Sequence, residues 1–203
     1  MQPHLIHDLA LIIAHLDAQG RLTRVRSEVD PAHDLAGIAA QFEGGPRAVL
    51  FERVKGYTQP VFTGLYWSRD LLGDLLGKPE LDLPGYVSSC IRNWQQRPVD
   101  PVVVRSGPVL EVTEPHVDLS KLPIPIHAQN DGGPYFDAAV VIARDPETGV
   151  YNASYHRLQL LGPRRTAIRL ESTIRPIRKA MSTCSVTRST VRLVRSSMIS
   201  MFG

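Results

Sequence analysis

The chain has 203 residues, of which 43% are hydrophobic, 21% charged and 6% aromatic, and its formal net charge is +3. This balance neither calls for disorder nor suggests a coiled coil, and the length suits one domain or two small ones. No run of about 18 apolar residues marks a transmembrane helix, and MQPHLIHDLA lacks the basic and apolar regions of a secretory leader. Cys90 and Cys184 lie 94 residues apart, in no C-x-x-C or zinc-ligand spacing, which points to a reduced, cytoplasmic protein.

In chain order, Leu5, Ile6, Leu9, Ile12, Ile13 and Leu16 recur at helical spacing, with Gly20 as the stop. LTRVRSEV reads as a short strand. Asp30-Pro31 is expected to cap a helix through DLAGIAAQF that ends near Gly44-Gly45. AVLFERV (48–54) and PVFTGLYW (60–67) read as strands. Ser68 caps a helix whose Leu71, Leu72, Leu75 and Leu76 face a core, and YVSSCIRNW reads as a further helix with Trp94 on its buried side.

From residue 98 the pattern changes. PVVVRSG, GPVLEVTE, LPIPIH, FDAAVVIARD, VYNASYHRLQLL and TAIRL are strand-like and separated by Gly, Pro and Asp. DPETG (145–149) combines a locally bonding Asp, a fixed Pro and a Gly tolerant of positive φ, so 137–144 and 150–161 are expected to form an antiparallel hairpin. The expected organisation is an N-terminal α/β domain (1–97), a sheet-rich cofactor domain (98–171) and a basic Ser/Thr/Arg-rich tail (172–203). Residues 1–171 carry 17 basic and 20 acidic side chains, whereas 172–203 carry six basic and no acidic ones. The positive charge therefore belongs to the tail, and the mildly acidic body argues against a broad nucleic-acid surface. Three readings of 172–203 stand side by side: a shifted reading frame, a disordered tail, and a basic nucleic-acid-binding arm.

The densest polar segment is YNASYHRLQ (151–159). In an extended strand Asn152, Ser154 and His156 share one face, and Tyr155, Arg157 and Gln159 the other. A bulge, or a ligand along the strand edge, would let Asn152 and Arg157 meet one anion; the alternative is a solvated sheet edge. Arg164, Arg165 and Arg169 follow a turn, where guanidinium forks bind phosphate or carboxylate or simply face water. His127 lies near Asp131 and Gly132-Gly133, which either admit a ligand close to the backbone or make a turn. No Walker A, dinucleotide or zinc pattern is present.

Four longer phrases carry a resemblance: GRLTRVRSEVDPAHDLAGIA, RAVLFERVKGYTQPVFTGLYWSRD, VDLSKLPIPIHAQNDGGPYFDAAVVIARDPETGVYNASYHRLQLLG and TAIRL. In order and spacing they resemble the N-terminal portion of UbiD-type decarboxylases, the 3-octaprenyl-4-hydroxybenzoate carboxy-lyase family, over about residues 5–171. The resemblance implies an α/β N-terminal region followed by a partial split β-barrel like that of flavin reductases. It implies prenylated FMN as cofactor, held with Mn2+ and K+, and reversible loss of CO2 from an aromatic or α,β-unsaturated acid. By the same resemblance Asn152 is the metal-ligating asparagine beside the cofactor phosphate, and Tyr155, His156 and Arg157 contact the cofactor. Arg157 also faces the substrate carboxylate as the catalytic arginine, and Arg169, Leu170 and Glu171 fall on the next cofactor-contacting segment. The family pattern continues beyond residue 171 with the metal-binding glutamate, the acids that cooperate with the arginine, and an assembly domain. The expectation is therefore a chain that is incomplete and inactive by itself, a homo-oligomer in its full-length relatives. The alternative is a non-catalytic flavin- or partner-binding subunit.

Overall fold

The computed structural model describes residues 8–78, 82–99, 102–107, 111, 113–145 and 147–168, and the backbone of 199–201. Helix α1 (Leu9–Ala18) opens where the Asp8 carboxylate accepts the Ala10 N–H at 2.6 Å. It buries Ile13 and Leu16, and ends as Gly20 adopts φ 67°. Strand β1 (Leu22–Val25) follows, then α2 (Asp34–Ala40), β2 (Ala48–Phe51), β3 (Val61–Thr63) and α3 (Arg69–Leu75). After them come α4 (Leu83–Gln96), a 3-10 turn (Leu119–Lys121), β4 (Tyr135–Arg144), β5 (Tyr151–Gly162), β6 (Arg165–Ile168) and β7 (Ile199–Met201). Two sheets result, in the orders β1-β2-β3-β7 and β4-β5-β6, so the fold is mixed α/β.

The first sheet holds the core. β2 pairs parallel with β1 and antiparallel with β3, and all four of its residues are buried. A central strand covered on both sides must be apolar throughout, which AVLF is. Ala48 and Leu50, with Phe62, pack beneath α1 and α3 against Ile13, Leu16, Leu71 and Leu75. Val49 and Phe51, with Val61, pack on the opposite side against Leu35 and Ala39 of α2.

Several sequence expectations are corrected here. Asp30 does not cap α2. Its carboxylate accepts the Ala32 N–H (2.9 Å) and pairs with Lys55 (3.0 Å), and the helix starts only after His33. The strand expected over 60–67 stops at Thr63, because Gly64 turns the chain with φ 94°. LPIPIH forms no strand. Pro123 and Pro125 offer no N–H to a ladder, and only Ile126 pairs, in a bridge to Ala32. Val102–Val104 are exposed and outside any strand, while half of GPVLEVTE lies outside the described residues. Helix α4 exists, but Trp94 is 60% exposed and Leu83 is its buried residue. The tail 172–198 and Cys184 also lie outside the described residues.

Candidate functional site: an arginine held by two carboxylates

The expected hairpin forms, with Arg144 opposite Tyr151 across the DPETG turn. Asp145 Oδ1 accepts the N–H groups of Glu147 (2.8 Å) and Thr148 (3.0 Å), and Gly149 takes φ 73°. Further along, Phe136 pairs with Leu158 and Ala139 with His156, so Asp137 and Ala138 together stand opposite the single residue Arg157. This is a β-bulge, and it lies in β4 rather than in β5. It puts the Asp137 carboxylate beside the Arg157 side chain.

Arg157 is gripped from two directions. Its Nε–H donates to Asp137 Oδ1, while Nη1–H and Nη2–H donate to Asp131 Oδ1 (3.2 Å) and Oδ2 (2.9 Å). The guanidinium carbon stands 4.1 Å from the centre of the Tyr135 ring, a cation–π contact. Asp131 and Asp137 are 15% and 12% exposed against 46% for Arg157, so the acids are set in and the base looks outward. The Arg157 bonds hold the Asp131 carboxyl below the usual carboxylate range, and Asp131 in turn raises the Arg157 guanidinium. Behind Asp137, its buried Oδ2 lies 2.7 Å from the buried His127 Nδ1, off the line of a straight hydrogen bond, and neither atom has another partner.

The N-terminal lobe helps to place this cluster. Ile126, the residue before His127, donates to Pro31 O (3.1 Å) and accepts from the His33 N–H (3.0 Å). The loop bearing Asp131 closes through Asp131 N–H to Ala128 O (3.0 Å), and Gln159 Nε2 donates to Gly132 O at 2.9 Å. A Cβ at Gly132 would meet that Gln159 amide at 2.8 Å, so a side chain there would push the tip of Gln159 aside. Tyr66, in the loop after β3, has its phenol pushed up by burial and by the neighbouring Tyr155 phenol.

Other expected site residues lie elsewhere. β5 pairs regularly from Tyr151 to His156, so Asn152, Ser154 and His156 share the face opposite Tyr155 and Arg157. Ser154 Oγ and His156 Nε2 share a hydrogen bond of 2.9 Å. The structure thus does not bring Asn152 to Arg157; the bulge that forms sits in the partner strand and redirects Asp137 instead. Arg169, Leu170 and Glu171 lie outside the described residues, and Arg165 is exposed at the start of β6. Among the described residues no three His, Cys, Asp or Glu side chains cluster as metal ligands. For a flat cofactor the fit is partial: Tyr155 and Arg157 share a face on which Val140 (54%) and Ile142 (68%) stay exposed.

Sequence reasoning had placed His127 and Asp131 near one another but missed Asp137 and Tyr135. The available signal was a lone acid in the apolar run FDAAVVIA, where an unpaired carboxylate on a half-covered strand is costly.

Comparison with known proteins gives these positions a context. The model of the 3-octaprenyl-4-hydroxybenzoate carboxy-lyase N-terminal domain matches residues 13–89, and that of the Rift-related domain of the same carboxy-lyase matches 101–188, past Glu171. An uncharacterized protein of Rhodospirillum rubrum is 66% identical over 84% of this chain and 37% of its own length. The anhydromevalonate phosphate decarboxylase of Methanosarcina mazei is 37% identical over 78% of this chain and 35% of its own. The UbiD-class enzyme HmfF from Pelotomaculum thermopropionicum, solved with FMN, superposes with a TM-score of 0.73 at 40% identity, over 82% of this chain and 37% of that one. An evolved dimeric form of HmfF was solved with prFMN (TM-score 0.71, 40% identity, 82% and 39% covered). The apo 3,4-dihydroxybenzoic acid decarboxylase of Enterobacter cloacae superposes at 0.69 with 29% identity, over 83% and 38%. The chain therefore spans a little over a third of the length of the relatives it matches.

Proposed function

The chain belongs to the UbiD family of carboxy-lyases, and from that premise we propose that it is the carboxylate-binding part of a decarboxylase acting on an aromatic or α,β-unsaturated acid. The observation that carries this reading is Arg157, an always-charged fork oriented by two acids and an aromatic face on the strand that also bears Tyr155. A planar carboxylate suits such a fork bidentately, and Tyr135 and Tyr155 offer flat surfaces for the remainder of an unsaturated acid.

In this reading Arg157 binds and orients the acid, Asp137 fixes the plane of the guanidinium, and the exposed β4–β5 face takes prenylated FMN with Tyr155 against it. When bound, that cofactor supplies the electron sink for the carbon that loses CO2. Arg169, Leu170 and Glu171 are proposed as further cofactor contacts, and His156 and Asn152, on the other face of β5, as contacts made where the cofactor phosphate and its divalent ion pass around the strand edge. Protonation of the carbon falls in this proposal to an acid outside residues 8–168, so these residues alone bind without turning over. No helix among the described residues is long and apolar enough to cross a membrane. Cytoplasmic placement is proposed from cysteine usage.

The test is expression beside a prenylated-FMN source, of this chain and of the reading frame extended downstream. Flavin absorbance in the purified protein and CO2 release from a panel of cinnamic, benzoic and furoic acids are then measured. The extended protein is expected to take up flavin and decarboxylate a member of the panel, with R157A losing turnover. An extended protein that folds but retains no flavin overturns the reading.

A further inference from the structure

The two carboxylates on Arg157 are not equivalent. Asp137 sits within the β4 bulge, held by the strand on both sides, and takes the inner Nε–H. Asp131 sits on a turn, before Gly132 and a Gly133 at φ 143°, and spans Nη1 and Nη2 with both oxygens. That end-on, two-bond geometry is the one in which an arginine receives a ligand carboxylate. We propose that Asp131 is a latch: it fills the Nη1/Nη2 fork of Arg157 and is exchanged for the carboxylate of the incoming acid, while Asp137 keeps Nε throughout.

The proposal deepens the carboxylate-binding reading above and rests on it. Three observations favour exchange over a permanent pair. A guanidinium has five N–H donors, and the two carboxylates engage three of them, so an incoming acid cannot bind both outer nitrogens end-on until Asp131 withdraws. With both acids ionised, the trio carries one net negative charge, so a third carboxylate entering without displacing Asp131 would be repelled. The turn that carries Asp131 is fastened by three bonds, Asp131 N–H to Ala128 O at 3.0 Å, Ala128 N–H to Asp131 Oδ2 at 3.3 Å and Gln159 to Gly132 O at 2.9 Å; only the second involves the carboxylate that would swing, and glycines provide the hinge. Asp137 has no comparable freedom. With its other oxygen against His127, it is the positioning residue.

A latch lowers apparent affinity by the fraction of time it is closed, so one closed for nine-tenths of the time costs a ligand about tenfold. The test is titration of benzoate into the flavin-free chain, read by calorimetry and by the Arg157 Nε–H resonance, with a thermal melt of each variant. Asp131→Ala is expected to tighten benzoate about tenfold, and Asp131→Asn, which removes the charge but keeps an acceptor oxygen, by a smaller factor. Asp137→Asn is expected to weaken binding and shift the Nε–H resonance. A merely structural Asp131 would do the reverse of the first result, because its loss would loosen the site. If Asp131→Ala does not melt cooperatively, Asp131→Asn decides. Binding in the folded Asp131 variants that equals or falls below the parent's, or benzoate bound by none of the proteins, overturns the latch. Flavin uptake by the extended protein is scored separately, so a failed latch with flavin bound leaves the decarboxylase reading intact, and tighter benzoate without flavin does the opposite.

Discussion

His33 has φ 74° and ψ −42°, and is the non-glycine residue with positive φ among those described. The Asp34 N–H donates to Ala32 O at 3.0 Å across it, closing a γ-turn of the sparsely populated hand. The turn persists because its flanks are tied down, Pro31 O and the His33 N–H both bonding to Ile126. Glycine removes the Cβ clash but adds unfolded-state entropy, so H33G is expected to stabilise by about 1 kcal/mol or less, readable as a higher urea midpoint at unchanged slope. At Arg157 the chemistry predicts a pH effect. Because the folded state lowers the Asp131 pKa, the stabilisation from this carboxylate is fully present above its unfolded pKa of about 3.9 and is lost as pH falls through the lowered value. The melting temperature of the parent is therefore expected to drop more steeply than that of D131N on acidification below about pH 4. Of this cluster, His127 and Asp131 were visible as neighbours beside two glycines. Asp137 was not, because a bulge leaves no mark in a pattern of alternating residues.

At the scale of elements, legibility followed the strength of the local chemistry. DPETG specified its hairpin, since the Asp145 carboxylate and Gly149 act within five residues of each other, and Ser68 capped α3 through the Asp70 N–H at 3.2 Å. Proline and the lone helix face misled. PVFTGLYW reads as an unbroken strand until Gly64 turns it, and a Cβ at that glycine would lie 2.6 Å from the Trp67 ring. The turn needs both positive φ and the missing side chain, so G64A is expected to cost about 2–4 kcal/mol, measured by chemical denaturation. A destabilisation below about 0.5 kcal/mol would mean the Trp67 ring swings aside freely. Trp94 failed for a different reason. Amphipathic spacing identifies an apolar stripe on α4 but not whether anything packs against it, and among the described residues Val87, Ile91 and Trp94 all remain exposed.

The whole molecule is divided unevenly between its two sheets. Among the described residues, the largest fully buried side chains are Phe51, Phe62, Leu16, Leu35, Leu71, Val49, Val61 and Pro123, none of them from β4, β5 or β6. The composition changes near residue 98, and β4, β5 and β6 all lie beyond that point. What could not be inferred was that the sheet bearing Arg157 would keep Val140, Ile142, Tyr151, Tyr155 and Leu161 exposed on its strands. Hydrophobic stabilisation scales with the area removed from water, so it is concentrated where β2 is covered on both faces. Opening of the β4–β6 sheet should therefore require less free energy than opening of β1–β3. Hydrogen exchange is expected to show β2 and β3 amides protected to the global limit and β5 amides exchanging earlier through a separate opening. F62A, which empties a fully buried site, should lower the global limit by about 3–5 kcal/mol, whereas V140A should alter it by less than about 0.5 kcal/mol. The consequence reaches the candidate site, because Arg157 and Asp137 ride on the weaker sheet while His127 is tied to the stronger lobe through Ile126. A ligand bridging Arg157 should thus slow β5 exchange and leave β2 unchanged. Equal protection of the two sheets in the free chain would show that the exposed face of β4–β5 is covered by other residues in solution.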